Sequence, residues 1–167
     1  SEKTILPLSR AKLFSDALKE WFFTGEVFDY DHHEEINCEL CNHPELNKHF
    51  KIENRCTSKT LLVGSSCILK FNDIEVIGFD KIAVTDPTER KNYLESVLKE
   101  KLLNNTLSPI RELWRIDKDN RSDIEYFGNK IKSAKSLSPK DLLSLFERLE
   151  SYNIQYNPSR YKVSLRS

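Results

Sequence analysis

The sequence has few of the features that would assign it to a special class of protein. Its 167 residues include only four glycines and six prolines, and no apolar run approaches the length of a membrane span, about 20 residues. The opening SEKTILPLSRAK lacks the apolar core of a signal peptide, so we expect a cytoplasmic location. With 38% hydrophobic residues, the composition is that of a folded protein and excludes a disordered chain.

Net charge is also missing, because 26 Lys and Arg residues balance 26 Asp and Glu residues. This balance removes the simplest argument for a nucleic-acid partner, which is a strongly basic chain. The charges are unevenly placed, however. Residues 1–50 carry 5 basic and 10 acidic side chains, whereas residues 126–167 carry 8 basic and 3 acidic ones. A surface for nucleic acid is therefore expected in the C-terminal third.

Cysteine is scarce but concentrated. Three of the four cysteines and two of the four histidines lie in CELCNHPELNKHFKIENRC, residues 38–56. Disulfides are rare in a reducing cytosol, so a C-x2-C pair indicates a metal site or a redox motif. A redox motif should follow a strand and open a helix, whereas this pair lies between an acidic loop and a strand. The sequence therefore favours a metal site.

Apolar periodicity predicts an α+β fold. A helix is expected over residues 9–23, followed by a β-hairpin made of KHFKIEN and TLLVGS. Another helix should begin near Cys67, and IEVIGFDKIAV indicates one or two further strands. Residues 1–80 would form the zinc-binding α+β part and residues 81–167 a helical part, packed together as one compact unit.

The helical part is predicted from its capping signals. Three pairs place a capping side chain before a proline whose fixed φ suits the first helical turn: Asp86-Pro87, Ser108-Pro109 and Ser138-Pro139. A weaker apolar stripe in SDIEYFGNKIKSAK predicts one more helix. The ending RYKVSLRS alternates apolar and basic residues, so it is predicted to form a strand that buries Tyr161, Val163 and Leu165.

The hairpin register predicts which side chains meet at the metal. Structural zinc is held by four nitrogen or sulfur ligands in a tetrahedron. The C-x2-C pair, here called the knuckle, supplies two thiolates. The next two ligands should lie beside it at the open end of the hairpin, one at the start of the first strand and one after the second. We therefore predict one structural zinc ion bound by Cys38, Cys41, His49 and Cys67.

Several alternatives to this ligand set stay open. His43 is a rival for the fourth position, although only one residue separates it from Cys41, which would strain a shared coordination sphere. An all-cysteine site would need Cys56, which lies at the far tip of the hairpin, on the order of 20 Å away at about 3.3 Å per residue. The cysteines could also be buried free thiols that bind no metal.

The metal region resembles a little-characterised zinc-finger family of phage, prophage and other mobile-element proteins. The shared residues are CELCNH and KHFKIENRCTSKTLLVGSSCILKF, which follow a pattern of C-x2-C-G, a His or Tyr, an FxIxN strand, a TG turn and VGSxCIxxF. Here Asn42 replaces the glycine and CTSKT replaces the TG turn. The resemblance covers roughly residues 17–71, touches the ending LSPKDLLSLFERLESYNIQYNPSRYKVSLR, and implies a structural zinc and a mobile-element context.

Other candidate sites have simpler explanations. DYDHHEE, residues 29–35, has the carboxylates of a hard-metal site, but a solvated acidic loop is the better explanation, because the spacing places no partner carboxylate beside it. A His-Asn-His nuclease would use His49 and Asn54, yet no histidine follows position 49. Trp114 shares a helical face with Ile110, which predicts a core residue and not a platform for base stacking.

Basic and aromatic residues in the C-terminal third are the best sign of a binding surface for nucleic acid, because lysine and arginine neutralise phosphates and aromatic rings stack on bases. The more common explanation of such residues, a scattered solvated surface, stays open. The candidate contacts are Lys130, Lys132, Lys135, Arg160, Lys162 and Arg166. The leading hypothesis is a non-enzymatic zinc-binding accessory protein of phage or mobile-element type that binds DNA or RNA. The alternatives are a module that binds or inhibits a host protein, supported by the acidic first 50 residues, and a nuclease.

Overall fold

The computed structural model describes residues 1–29, 36–44, 48–133 and 135–164. The chain forms two compact units, Ser1–Lys101 and Leu102–Ser167, and each is considered by itself below. A three-stranded antiparallel sheet is combined with helices, which confirms the α+β class. Within the described ranges, none of the helices has the length and apolar character needed to cross a membrane.

The first unit is built around the sheet, whose strands follow the order β1-β2-β3. Its strands are β1 (Trp21–Asp29), β2 (Lys48–Asn54) and β3 (Thr60–Val63). Its helices are α1 (Glu2–Ile5), α2 (Phe14–Leu18), α3 (Ser65–Lys70) and the first part of α4 (Pro87–Ile116), with a 3-10 turn at Leu6–Leu8.

The long N-terminal helix predicted over residues 9–23 is wrong. Helix α2 is only five residues long, and Trp21 already belongs to β1, where it pairs with Asn54 of β2. Trp21 and Phe23 are buried while Phe22 is half-buried, which is the alternation of a strand. Gly25 lies at an irregularity of β1, between Phe23 and Val27, with a φ of 89°.

The predicted hairpin is confirmed. β2 and β3 pair in the register Phe50 with Val63 and Glu53 with Thr60. The turn between them is held by the buried side chain of Asn54, whose Oδ1 accepts hydrogen bonds from the backbone of Cys56 (2.7 Å) and Thr57 (3.0 Å). The side chain of Asn54 therefore has a structural role, which is to close this turn.

No strand forms in the predicted stretch IEVIGFDKIAV. It contains isolated bridges only, one joining Glu75 to Phe22 and one joining Ile77 to Ala83. The fully buried guanidinium of Arg90 secures this stretch by donating to the carbonyl oxygens of Ile74 (3.0 Å) and Ile68 (2.6 Å). A buried cation thus supplies hydrogen bonds that sheet pairing would otherwise supply.

The second unit is helical. It contains the remainder of α4, α5 (Arg121–Lys132) and α6 (Pro139–Ser151), with 3-10 turns at Lys118–Asn120 and Pro158–Arg160. Its core is formed by apolar residues of these helices and of the segments after α5 and α6, including Ile110, Leu113, Ile124, Phe127, Leu137, Leu145, Leu149 and Tyr161.

Two of the three predicted helix starts are confirmed. Asp86 accepts a hydrogen bond from the Glu89 amide at 3.0 Å, and Ser138 accepts one from the Asp141 amide at 3.1 Å. The start predicted at Ser108-Pro109 is wrong, because α4 continues through Pro109. Leu107, Ile110 and Leu113 are buried on one face of this helix, and their burial outweighs the hydrogen bond that the proline removes.

In the described part of the predicted C-terminal strand, residues 160–164, the pairing is one isolated parallel bridge between Leu137 and Val163. Tyr161 is buried as predicted, and its hydroxyl donates to the Thr106 carbonyl at 2.9 Å. The predicted burial of Val163 is wrong, because its side chain is 46% exposed. A single bridge covers little of a side chain, unlike a sheet. Leu165 lies outside the described residues.

Candidate metal centre

Cys38, Cys41 and Cys67 form a group that could hold a metal ion. Their sulfur atoms all lie within 4.8 Å of one another, and the Sγ atoms of Cys38 and Cys67 are 3.6 Å apart. Two sulfur ligands at about 2.3 Å from a tetrahedral ion would be roughly 3.8 Å apart. The sulfur spacing therefore fits ligands of a single ion.

The knuckle owes its shape to a tight loop. The Asn42 amide donates to the Cys38 carbonyl at 2.8 Å, and the Cys38 amide donates to the His43 carbonyl at 3.0 Å. Asn42 has a φ of 59°, in the left-handed region that asparagine tolerates better than most residues do. Asparagine can therefore occupy the position where the resembled family has glycine without changing this backbone conformation.

The knuckle is joined to the end of β3. The Glu39 amide donates to the Leu62 carbonyl at 3.0 Å, and the Gly64 amide donates to the Cys38 sulfur at 3.3 Å. Gly64 is also the N-cap residue of α3, so Cys67 lies in the first turn of that helix. The three sulfurs are thus brought together by one loop and by the junction of a strand with a helix.

The thiols differ in their ease of ionisation. Burial raises the pKa of Cys67 well above its ordinary value, and the neighbouring thiols raise it further. Burial also opposes ionisation of Cys41, but hydrogen bonds from Cys67 and from the His43 backbone outweigh it and lower the pKa of Cys41. Since metal ligands must be thiolates, a bound cation has to displace the Cys67 proton, and metal affinity should fall as the pH falls.

The fourth ligand stays a prediction. His49 is fully buried on β2, opposite Phe28 of β1, but it is not part of the group of three whose ligand atoms lie within 4.8 Å. His43 is exposed and follows the knuckle directly. Cys56 is exposed on the turn between β2 and β3 and lies outside the group.

The other sequence candidates lie elsewhere. Of the acidic stretch 29–35, only Asp29 is among the described residues. Trp114 is half-buried against the core of the second unit, its indole Nε1 donates to Glu125 at 3.1 Å, and the Arg121 guanidinium lies 3.9 Å from its ring centroid. Trp114 is therefore fixed by neighbours on two sides.

Some of the candidate nucleic-acid contacts come together around the connection from α5 to α6. The Lys135 amide donates to the Lys130 carbonyl at 2.9 Å, and the Leu137 amide donates to the Lys162 carbonyl at 3.1 Å. Lys132 is two residues from Lys130 on α5, about 200° around the helix, so it points to another side. Arg160 ends the last 3-10 turn, and Arg166 lies outside the described residues.

Sequence reasoning missed two buried charges of the first unit. One is Arg90, described above. The other is Glu20, whose carboxylate accepts hydrogen bonds from the amides of Arg10 (2.9 Å) and Ala11 (2.8 Å). Arg90 could have been found, because it lies four positions before the buried Leu94 and so shares the apolar face of α4.

Comparison of the chain with protein-family models, curated proteins and solved structures finds no match. The resemblance to zinc-finger proteins of mobile elements stays a prediction from the residues quoted for it.

Proposed function

We propose that the chain is a non-enzymatic protein that binds one structural zinc ion and uses the basic surface of its second unit to contact nucleic acid. The grouping of three cysteine sulfurs carries the zinc part of the proposal. Thiolates are soft ligands that favour zinc over hard cations such as Mg²⁺ or Ca²⁺. Zinc would join the knuckle to the start of α3 and so stabilise the open end of the hairpin.

His49 completes the ligand set in this proposal. Two of the three cysteines are buried, and so is His49, which suits a closed structural site better than a catalytic one with an open position for water. The resemblance of residues 17–71 to mobile-element zinc fingers supports the same assignment and a phage or mobile-element context.

Cobalt substitution tests the ligand set directly. Co²⁺ bound to the parent chain should show the absorption of a tetrahedral site with thiolate ligands. We expect His49→Ala to weaken Co²⁺ binding at least tenfold and to change the spectrum, and His43→Ala to leave both unchanged. If His43→Ala has the larger effect, the histidine assignment is wrong although the three-thiolate site survives.

The nucleic-acid part rests on the lysines that the backbone brings together near the connection from α5 to α6. Lys135 and Lys162 are exposed and Lys130 is half-buried, with its ammonium 5.2 Å from the Tyr126 ring centroid. Neighbouring cations that neutralise phosphates release counterions, which produces affinity that depends strongly on salt.

A salt titration tests this surface. Binding to mixed-sequence DNA and RNA 20-mers should weaken with salt, and the triple change Lys130→Gln, Lys135→Gln and Lys162→Gln should reduce the logarithmic slope by about 2–3. The matched control changes three exposed lysines elsewhere: Lys91→Gln, Lys99→Gln and Lys101→Gln. If the two triple variants have the same salt dependence of affinity, this surface does not bind nucleic acid.

A second candidate function is the binding of a protein partner. It is favoured by an apolar groove with a basic rim in the second unit.

A further inference from the structure

A groove of about 330 Å³ opens on the second unit, lined by residues of α4 and α5. Its floor is aliphatic and includes the buried side chains of Leu107, Ile110 and Ile124. The volume is at the lower end of ligand pockets and suits one or two apolar side chains.

The rim of the groove is basic. Arg111, Arg115 and Lys132 line it and are exposed, and the ion pairs found among the described residues include none of these three. One carboxylate, Glu125, also lines the groove, but it accepts the hydrogen bond from the Trp114 indole. The groove therefore combines an apolar floor with excess positive charge at its edge.

Trp114 forms a fixed wall of the groove. Besides its bond to Glu125, it is covered by Arg121, whose guanidinium carbon lies 3.9 Å from the ring centroid and whose Nε donates to the Trp114 carbonyl at 3.0 Å. One indole face is therefore occupied within the protein. That arrangement argues against a base-stacking site, which needs an open aromatic face.

Gly128 keeps the groove open. It lies inside α5, where glycine costs about 1 kcal/mol relative to alanine. Packing does not require this glycine: among the described residues beyond its own helix, an added Cβ would have one neighbour within 4 Å, the Cγ2 atom of Ile110 at 3.8 Å. The missing side chain instead leaves space in the groove. Helix α5 is thus less stable than it would be with alanine, at the position where a side chain would fill the groove.

We propose that this groove binds an acidic amphipathic segment of a partner protein. An apolar side chain of that segment inserts between α4 and α5, and its carboxylates contact Arg111, Arg115 and Lys132. Helical or extended peptides are recognised in this way, with apolar anchors for affinity and charges for orientation. The groove is separate from the zinc site, so the proposal does not depend on the metal.

Peptide binding to the full chain tests the proposal. The probe is a fluorescein-labelled 12-residue peptide of aspartate, glutamate, leucine and phenylalanine with apolar residues three and four apart. We expect saturable binding by fluorescence anisotropy. Trp114 fluorescence should change as well, because Trp114 lines the groove. Trp21, the other of the two tryptophans, is fully buried in the first unit and should not respond. A control peptide has serine in place of leucine and phenylalanine.

Two variants address the groove itself. Arg111→Gln combined with Arg115→Gln should weaken peptide binding at least tenfold, and Gly128→Leu should weaken it to a similar degree by filling the cavity while favouring the helix. The matched control is Lys91→Gln with Lys99→Gln, which changes the same charge on the same helix and should stay within twofold of the parent. Circular dichroism confirms that each variant is folded.

Three results would overturn the proposal: no saturable binding of the peptide, unchanged affinity in the Gly128→Leu variant, or equal binding of the serine control peptide. A fourth result would also overturn the proposal. If a single-stranded 12-mer displaces the peptide, and if Gly128→Leu abolishes binding of that 12-mer, the groove binds nucleic acid instead. The salt-slope experiment uses Lys130, Lys135 and Lys162, none of which is changed here, so the two proposals can fail separately.

Discussion

At the scale of single residues, the four cysteines differ in their surroundings. Cys38 and Cys67 are buried with their sulfurs 3.6 Å apart, Cys41 joins them from the exposed side, and Cys56 is exposed on a turn. Two uncharged thiols in contact add little to stability, whereas two thiolates sharing a zinc ion couple its binding energy to folding. Position therefore decides what each cysteine contributes.

Replacing cysteines one at a time should show this difference. We expect Cys67→Ser to lower the free energy of unfolding of the zinc-loaded protein by several kcal/mol, because a metal ligand is lost. Cys56→Ser should change the free energy of unfolding by less than about 0.5 kcal/mol, since the site is exposed and serine keeps a side-chain hydrogen-bond donor there. Urea denaturation measures both. Equal effects of the two substitutions would contradict a metal-coupled fold.

Tyr161 provides a second test at this scale. Its hydroxyl donates to the Thr106 carbonyl, and burial raises its pKa to about 12. Tyr161→Phe should cost about 1 kcal/mol near pH 8. Above about pH 10 the tyrosine of the unfolded parent ionises while that of the folded parent keeps its proton, so the parent loses stability as the pH rises toward 12.

The stability difference between the parent and Tyr161→Phe should therefore shrink from about pH 10 to pH 12. Urea midpoints across this range measure it. The exposed Tyr152 gives the control, because Tyr152→Phe should change stability near pH 8 by less than about 0.5 kcal/mol. A difference that grows with pH would show that Tyr161 does not hold its proton in the folded state.

At the scale of elements, Arg90 shows how one buried cation organises a segment without a strand. Its guanidinium ties α4 to the carbonyl of Ile68 in α3 and to that of Ile74 in the following loop. Burial lowers its pKa, and the hydrogen bonds to two carbonyls compensate for its removal from water. The contact joins three consecutive parts of the first unit.

Arg90→Met should destabilise the protein by about 2–4 kcal/mol, because two buried carbonyl oxygens lose their charged donor. The neighbouring Lys91 is exposed and provides the control, since Lys91→Met should change stability by less than about 0.5 kcal/mol. Urea denaturation followed by circular dichroism gives both values. A neutral Arg90→Met would mean that these hydrogen bonds add nothing to the net stability.

Several elements of the fold could be predicted from the sequence. The hairpin of β2 and β3 follows from local alternation, and it is present. The grouping of Cys38 and Cys41 with Cys67 follows from the short C-x2-C spacing and from the hairpin register, and it is present too. The capping signals at Asp86 and Ser138 also act within one helical turn. Where the deciding interactions were local, the prediction held.

Predictions failed where distant segments decide. The apolar residues before Gly25 fit a helix, but pairing with residues 48–54 makes Trp21–Asp29 a strand. Pro109 follows a good capping residue, yet burial on one face keeps α4 continuous. The groove could not be predicted either, because it needs α4 and α5 side by side. The one sign of the groove in the sequence is Gly128, a glycine within a predicted helix.

At the scale of the whole molecule, the two units have separate cores. The residues of the first core lie between Ile5 and Leu94, and those of the second between Ile110 and Tyr161. The three cysteines of the candidate metal centre belong to the first unit. Zinc should therefore matter most to the unit that contains the sheet.

Chelation should separate the units in a melting experiment. In the variant Trp114→Phe, the remaining fluorescence comes from Trp21, which is buried in the first core. A strong chelator should lower the melting temperature reported by Trp21, while part of the helical circular dichroism survives to higher temperature. Added zinc should reverse the effect. Loss of both signals at the same temperature would show that the metal stabilises the whole chain.

In our proposal, the thiols of Cys38, Cys41 and Cys67 hold one zinc ion. Elemental analysis of the purified chain measures this most directly, with Cys38→Ser and Cys56→Ser analysed in parallel. We expect close to one zinc per chain in the parent and in Cys56→Ser, and a clear loss in Cys38→Ser. Absence of zinc from the freshly purified parent, or equal zinc content in Cys38→Ser and the parent, would contradict the account.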